Sequence, residues 1–189
     1  MERAGVAPNV HRDPILEAYH LWSENGWEDC AAGCAAVTSL MRVHQMMTRR
    51  ADQVLAPLDL TFARYELLVR LYFREGSLPL SQLGRELQIH QTSITSLVDR
   101  LEKQGLIRRT PHPTDRRSTI AQITPAGRVL TGEAINLLNA EFFRDQGLSD
   151  REAHLLIGLL MKMRRSWDDI ENPEGWEAFE AGLDAPPAV

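Results

Sequence analysis

The stretch from Leu80 to Gly127 constrains this chain more than any other. Leu83 and Leu87 stand four apart and share one helical face, which predicts a short helix over residues 81–87 with Ser81 as its N-cap. Ile89 and His90 make a turn. A second helix starts near Gln91 or Thr92, with Ile94, Leu97, Val98 and Leu101 at i, i+3, i+4, i+7 facing a core. Gly105 closes it as a C-cap. Residues 106–110 and 118–124 are rich in Ile, Thr and Leu. Pro111, Pro113, Thr114 and Asp115 divide them, so they read as a hairpin with its tip at about 111–117. Thr124 then caps a new helix whose first residue is Pro125, a favoured start. Helix, turn, helix, hairpin and helix in that order predict a mainly α fold with a small β-wing: a winged helix-turn-helix.

The residue types on the outer face of that unit suit a duplex. Gln91, Thr92, Ser93, Thr95 and Ser96 place small polar groups at the front of the second helix, where they can approach base edges and phosphates closely. Arg100 and Lys103 follow at the rear, near flanking phosphates and the negative end of the helix. Arg116 and Arg117 sit at the hairpin tip and suit a narrow minor groove, which arginine reads by charge. Asp115, two residues before Arg117, is expected to orient it. Between Arg85 and Arg128 there are eight cations and four anions, whereas the whole chain carries a net charge of -5. A basic segment in an acidic chain is the footprint of a local nucleic-acid surface. A protein-docking module of the same fold is the competing reading, and steep salt dependence of duplex binding separates the two.

Apolar periodicity organises the flanks. A short helix is expected over 14–22, broken at Glu24-Asn25-Gly26. A long one is expected over 28–55, with Val37, Leu40, Met41, His44, Met47, Val54 and Leu55 along it and Pro57 ending it. Another is expected over 62–74. Leu78-Pro79-Leu80 reads as an edge strand added to the wing, where proline is tolerated. A helix over 125–144 precedes a last helix opening at Ser149, where Ser149 and Glu152 match a capping box. Residues 167–189 hold seven acids and no Lys or Arg. The expected division is an N-terminal extension and long dimerisation helix over 1–57, the winged lobe over 58–124, C-terminal dimerisation helices over 125–167, and an acidic tail over 168–189. A small lobe cannot cover the apolar stripes of both arms, so a homodimer with interleaved terminal helices is expected.

The segment Leu97-Val98-Asp99-Arg100-Leu101-Glu102-Lys103-Gln104-Gly105-Leu106-Ile107-Arg108-Arg109, with Asp115-Arg116-Arg117 and Ile123-Thr124-Pro125-Ala126-Gly127, resembles the MarR (multiple antibiotic resistance regulator) family. Leu60-Thr61-Phe62-Ala63-Arg64-Tyr65-Glu66-Leu67-Leu68 resembles the start of that family's second helix. The similarity covers about residues 35–165. It implies a dimeric, ligand-responsive transcriptional regulator, usually a repressor, that binds a pseudo-palindromic operator in double-stranded DNA.

The resemblance also implies a ligand cleft between the dimerisation helices and the lobe. Here it would be bordered by His44, Tyr65, Glu66 and Arg70, with Trp22 and Arg109 added from a urate-responsive branch of the family. Trp22 and Arg109 match positions in that branch, Glu66 stands for its aspartate, and Ser96 replaces a second arginine. Losing that cation points away from urate, toward a different phenolic or carboxylate effector. Met and aromatic residues at these spacings also serve as plain core. Cys30 and Cys34 lie four apart on one helical face, either as small residues packed where helices approach or as a redox sensor of the kind some family members carry near the start of their long helix. No cation in the same turn favours a reactive thiolate.

Nothing in the sequence points to an enzyme. It has no glycine-rich phosphate loop, no nucleophile elbow and no metal-spaced histidines, since His11, His20 and His44 lack a ligand spacing. No cofactor or metal is expected. No apolar run reaches the roughly 20 residues that span a bilayer, and no secretory signal opens the chain. Both features point to a cytoplasmic protein that does not enter membranes.

Overall fold

The structure is a computed structural model that describes residues 13–115 and 118–170, with Gln91 described in its backbone alone. The chain divides into two compact units, Met1–Leu138 and Asn139–Val189.

In the first unit, α1 (Pro14–Glu24) and α2 (Glu28–Leu55) form a helical hairpin. Asp13 caps α1 by accepting the Ile15 N–H at 3.0 Å, and Pro14 occupies the first helical position. A 3₁₀ turn (Ala56–Leu58) stops α2 and leads through Asp59, whose φ is +50°. Then α3 (Phe62–Phe73) begins under a Thr61 cap. The Phe62 N–H also reaches back to Asp52 Oδ1 at 2.6 Å, tying the start of α3 to the end of α2.

The lobe follows the predicted order. Strand β1 (Ser77–Pro79) precedes α4 (Leu80–Glu86) and α5 (Gln91–Lys103), and β2 (Ile107–Pro111) and β3 (Thr119–Ile123) form the hairpin. The three strands make one antiparallel sheet in the order β1-β3-β2. Pro79 pairs with Ile120 on the outer edge, where its missing N–H costs no ladder bond. Ser81 is not the cap of α4. The helix starts one residue earlier, because β1 carries extended backbone through Pro79 (φ -60°, ψ 141°) directly into Leu80.

The core is aliphatic. Leu55 of α2, Leu67, Leu68 and Leu71 of α3, Leu83 of α4, and Ile94, Val98 and Leu101 of α5 are fully buried, with Ile107 and Ala121 from the sheet beside them. The apolar stripe expected on α5 therefore faces inward, except that Leu97 is only half-buried. α6 (Pro125–Leu138) packs on α2 and α3. Thr124 caps it by accepting the Gly127 N–H at 3.0 Å.

In the second unit, residues expected to continue the preceding helix instead form a π-helical turn (Asn139–Phe143), so the α-helical geometry ends at Leu138. α7 (Asp150–Ser166) opens on the expected capping box: Ser149 accepts the Glu152 N–H, and Glu152 Oε2 accepts the Ser149 N–H at 2.8 Å. Hydrogen bonds from the Ser149 hydroxyl and backbone hold the exposed Glu152 carboxyl below the ordinary carboxylate range. Among the described residues, no helix is long and apolar enough to cross a membrane.

Candidate nucleic-acid interface

α5 turns one face to solvent because its other face is consumed by the core. Ile94, Val98 and Leu101 are fully buried, whereas Thr92, Ser93, Thr95, Ser96 and Arg100 are exposed. Thus Thr92, Ser93, Thr95, Ser96 and Arg100 share the outward side of one rigid helix. His90 caps this helix: its Nδ1 accepts the Thr92 N–H at 3.4 Å and lies 3.0 Å from the Thr92 hydroxyl. The cap was not foreseen, because the sequence suggested only a turn at that position. A hollow of about 430 Å³ runs along the front of the helix, lined by Ala63, Ile89, Thr92, Ser93, Ser96, Leu97 and Arg100.

The β2–β3 hairpin rises beside this helix. Its tip begins at His112, whose Nδ1 accepts the N–H groups of Thr114 and Asp115 at 3.3 and 3.2 Å. Arg116 and Arg117 lie outside the described residues, as does any pairing of Arg117 with Asp115. A cleft of about 620 Å³ separates the wing from α5 and is lined by Leu80, Ser81, Thr95, Asp99, Arg109, Asp115, Ser118 and Thr119.

Arg109 is placed in that cleft, in a carboxylate clamp. Its Nη1 donates to Glu102 Oε2 at 2.8 Å and its Nη2 to Asp99 Oδ1 at 2.5 Å, with a longer bond to the Thr95 carbonyl. Glu102 Oε1 also accepts the Arg109 N–H at 2.9 Å. Burial works against the guanidinium's charge, but hydrogen bonds to Asp99 and Glu102 outweigh it and hold its pKa above the ordinary arginine value. The clamp fixes β2 to α5 and so sets the angle between wing and helix. Sequence reasoning missed Asp99 and Glu102. Their i, i+3 spacing on α5 puts them on one side, which was the available signal.

The structure brings only some of the expected ligand residues together. Glu66 lies close enough to Arg70 and His44 to feel both charges. Tyr65 is buried and stacks on Phe62 with ring centroids 5.8 Å apart. Burial, and then the neighbouring Glu66, push its phenol pKa up. Trp22 sits instead at the α1–α2 turn against Trp27, with centroids 5.6 Å apart, and Arg109 is in the wing clamp. Among the described residues, the hollow beside His44, about 350 Å³, is lined by His44, Gln45, Thr48 and Arg49 of α2. Cys30 is exposed and Cys34 partly exposed, and both are free thiols. Among the described residues, no group of three or more His, Cys, Asp or Glu could hold a metal.

Glu66 supplies a pH prediction. Burial holds its carboxyl above the ordinary glutamate range, and the charges of Arg70 and His44 only partly offset this. The folded state therefore keeps the proton longer than the unfolded chain, and stability falls as pH rises from the ordinary glutamate value through the raised one. Glu66→Gln is expected to melt higher than the wild type at about pH 8 and to lose that advantage by about pH 4. Thermal melts across this range check it; a wild type more stable than Glu66→Gln at the upper pH contradicts the sign.

A capped helix with an exposed polar face, clamped beside a hairpin wing, defines a winged helix-turn-helix of the kind found in DNA-binding transcriptional regulators. The MarR family model matches residues 60–119. The transcriptional regulator MhqR of Bacillus subtilis (strain 168) is 41% identical over 105 residues, which is 51% of this chain and 67% of MhqR. YhbI of the same strain, an uncharacterized transcriptional regulator, is 33% identical over 92 residues, 49% of this chain. The chain spans 59% of YhbI's own length. Sco5413, a MarR family transcriptional regulator from Streptomyces coelicolor, superposes with a TM-score of 0.69 at 37% identity, covering 75% of this chain and 99% of that one. A mutant MarR from Escherichia coli complexed with operator DNA gives a TM-score of 0.62 over 67% of this chain and 91% of its own, and at 24% identity that likeness shows the fold. The chain belongs to the MarR family of transcriptional regulators.

Proposed function

We propose that the protein is a homodimeric repressor. It binds a pseudo-palindromic operator and releases it when a small aromatic or phenolic acid binds. The exposed polar row on α5, opposite a fully buried stripe, carries this reading. Gln91, Thr92, Ser93, Thr95, Ser96 and Arg100 enter the major groove, and Arg116 and Arg117 reach the flanking minor groove. Residues 58–124 form the reading lobe, and the arms over 1–57 and 125–167 form the dimer. Support for the dimer comes from apolar side chains that α2 leaves in water: Val37, Met41, Val43, Met46 and Met47, with Met41 60% exposed. α7 likewise exposes Leu156 and Leu159. Solvent exposure of so many large apolar groups on two helices is what an isologous partner removes.

For the effector, the motive is the grouping of Glu66 with Arg70 and His44 on α3 and α2, helices that join the dimer arm to the lobe. A ligand there releases DNA only by favouring the arrangement that misplaces the recognition helices. A tenfold preference corresponds to about 1.4 kcal/mol per site. The test combines sedimentation with release assays using aromatic and phenolic acids. A dimer at micromolar concentration is expected, with release that needs a higher acid concentration in Glu66→Ala and Arg70→Ala. A stable monomer contradicts the architecture, and release at the wild-type concentration in both variants moves the effector site elsewhere.

A further inference from the structure

The C-terminal end of α5 is held by a polar network that uses none of the exposed side chains Thr92, Ser93, Thr95, Ser96 and Arg100. Gln104, the C-cap residue, donates through Nε2 to the Asp59 carbonyl at 3.1 Å and to Asp59 Oδ2 at 2.8 Å. Its amide oxygen accepts from Arg64 Nη1 at 2.9 Å. Arg64 Nη2 lies 3.9 Å from Asp59 Oδ1, which closes the triangle. The Arg64 side chain is only 11% exposed, so its charge is turned into the protein and away from solvent. Asp59 is the hinge between the long helix α2 and the lobe. It follows the 3₁₀ turn that ends α2, and its left-handed backbone aims both its carbonyl and its carboxylate at Gln104. On the other side, the Thr124 hydroxyl donates to the Gly105 carbonyl at 2.8 Å, so the start of α6 holds the same helix end.

We propose that Gln104 and Arg64 are positioning residues for operator recognition: they lock the recognition helix to the hinge at Asp59, so that the pose of α5 in the groove follows the pose of the dimer arm. A side-chain amide suits this task. It donates to the hinge and accepts from Arg64 at once, and neither contact touches DNA. The pair sets selectivity rather than bulk affinity. Phosphate contacts tolerate a loosened helix end, because phosphate charge runs continuously along the duplex, whereas base contacts need the helix at a fixed angle and depth. Ser93, Ser96 and Arg100 are carried on the same rigid element, so a small rotation at Gln104 displaces all of them together.

This inference rests on the DNA-binding reading, and its test separates the two. The full chain first selects a preferred duplex from a random pool. Wild type, Gln104→Leu and Arg64→Lys are then titrated against that duplex and against a scrambled one, over a range of salt concentrations. Gln104→Leu keeps the side chain's volume and removes both polar contacts; Arg64→Lys keeps the charge and removes the fork. Each is expected to bind the preferred duplex about tenfold more weakly, to bind the scrambled duplex as the wild type does, and to keep the wild-type salt slope. A loss shared by both duplexes, with a shallower slope in Arg64→Lys, would make Arg64 a phosphate contact and overturn the proposal. Unchanged selectivity in both variants also overturns it. Should Gln104→Leu not fold, Arg64→Lys decides alone by the same criteria. Wild type that selects no duplex refutes the DNA-binding reading itself.

Discussion

Gly127→Ala is expected to lower the melting temperature by about 6–12 °C, corresponding to roughly 3 kcal/mol for a chain of this size. A Cβ built on Gly127 would lie 2.1 Å from the Leu106 carbonyl oxygen and 2.9 Å from Ile123 Cγ1. The first of these is backbone, so no rotamer change relieves it. The Leu106 oxygen is moreover committed: it accepts the Thr124 N–H at 3.0 Å. Opening a gap for the methyl group breaks the joint between α5, β2 and α6. Gly132, one and a half turns along the same helix, is the matched control. Among the described residues, nothing beyond its chain neighbours and its own helical backbone lies within 4 Å of its added Cβ. Gly132→Ala should therefore be neutral or stabilising by up to about 1 kcal/mol, since alanine restricts the unfolded chain and favours helix. Calorimetry or thermal circular dichroism of the two variants checks the contrast. Equal melting temperatures would show that the α5–α6 joint is not as tight as its geometry states.

Arg109→Ala is expected to weaken operator binding about 100-fold, or roughly 2.7 kcal/mol. The Arg109 side chain is 26% exposed and meets two acidic side chains that are more open than it is, Asp99 and Glu102. Removing it does two things. The wing loses its anchor on α5, and two uncompensated anions are left on the helix that must approach a polyanion. The contributions can be separated. Asp99→Asn placed in the Arg109→Ala background removes one anion without restoring the anchor, so affinity should recover in part, and more at low salt than at high. Titrations of the single and double variants against one duplex measure this. No recovery at any salt would mean that wing orientation alone accounts for the loss.

The elements legible in the sequence are those whose signal is local. The limits of α2, Glu28–Leu55, follow from apolar periodicity and the Pro57 stop, and the capping box at Ser149 from two residues three apart. The edge strand at Leu78 and Pro79 follows from a short apolar run with proline. What escaped needed three dimensions or a preference too weak to read. Ser81 looked like a cap because the expected strand ran through Leu80, whereas strand pairing ends at Pro79 and Leu80 already opens α4. The π-helical turn at Asn139–Phe143 has no counterpart in periodicity. Arg109 was grouped with the ligand residues through resemblance, whereas its partners Asp99 and Glu102 are set by the register of β2 against α5. Gln104, Asp59 and Arg64 are separated by 40 or more positions in two of their three pairings, and no sequence spacing announces such a triangle. Glu66, His44 and Arg70 were named together through resemblance to the family; the i, i+4 spacing of Glu66 and Arg70 on α3 is the local part of that grouping.

Recognition of a two-fold DNA site by a pair of α5 helices is tested by selection of a preferred duplex by the full chain, followed by titration that determines stoichiometry and salt dependence together. An inverted repeat is expected, with half-sites roughly 10 base pairs apart, two chains per duplex, and an affinity that falls log-linearly with salt as phosphate contacts release counterions. A preferred sequence without two-fold character, one chain per duplex, or binding indifferent to salt would contradict it.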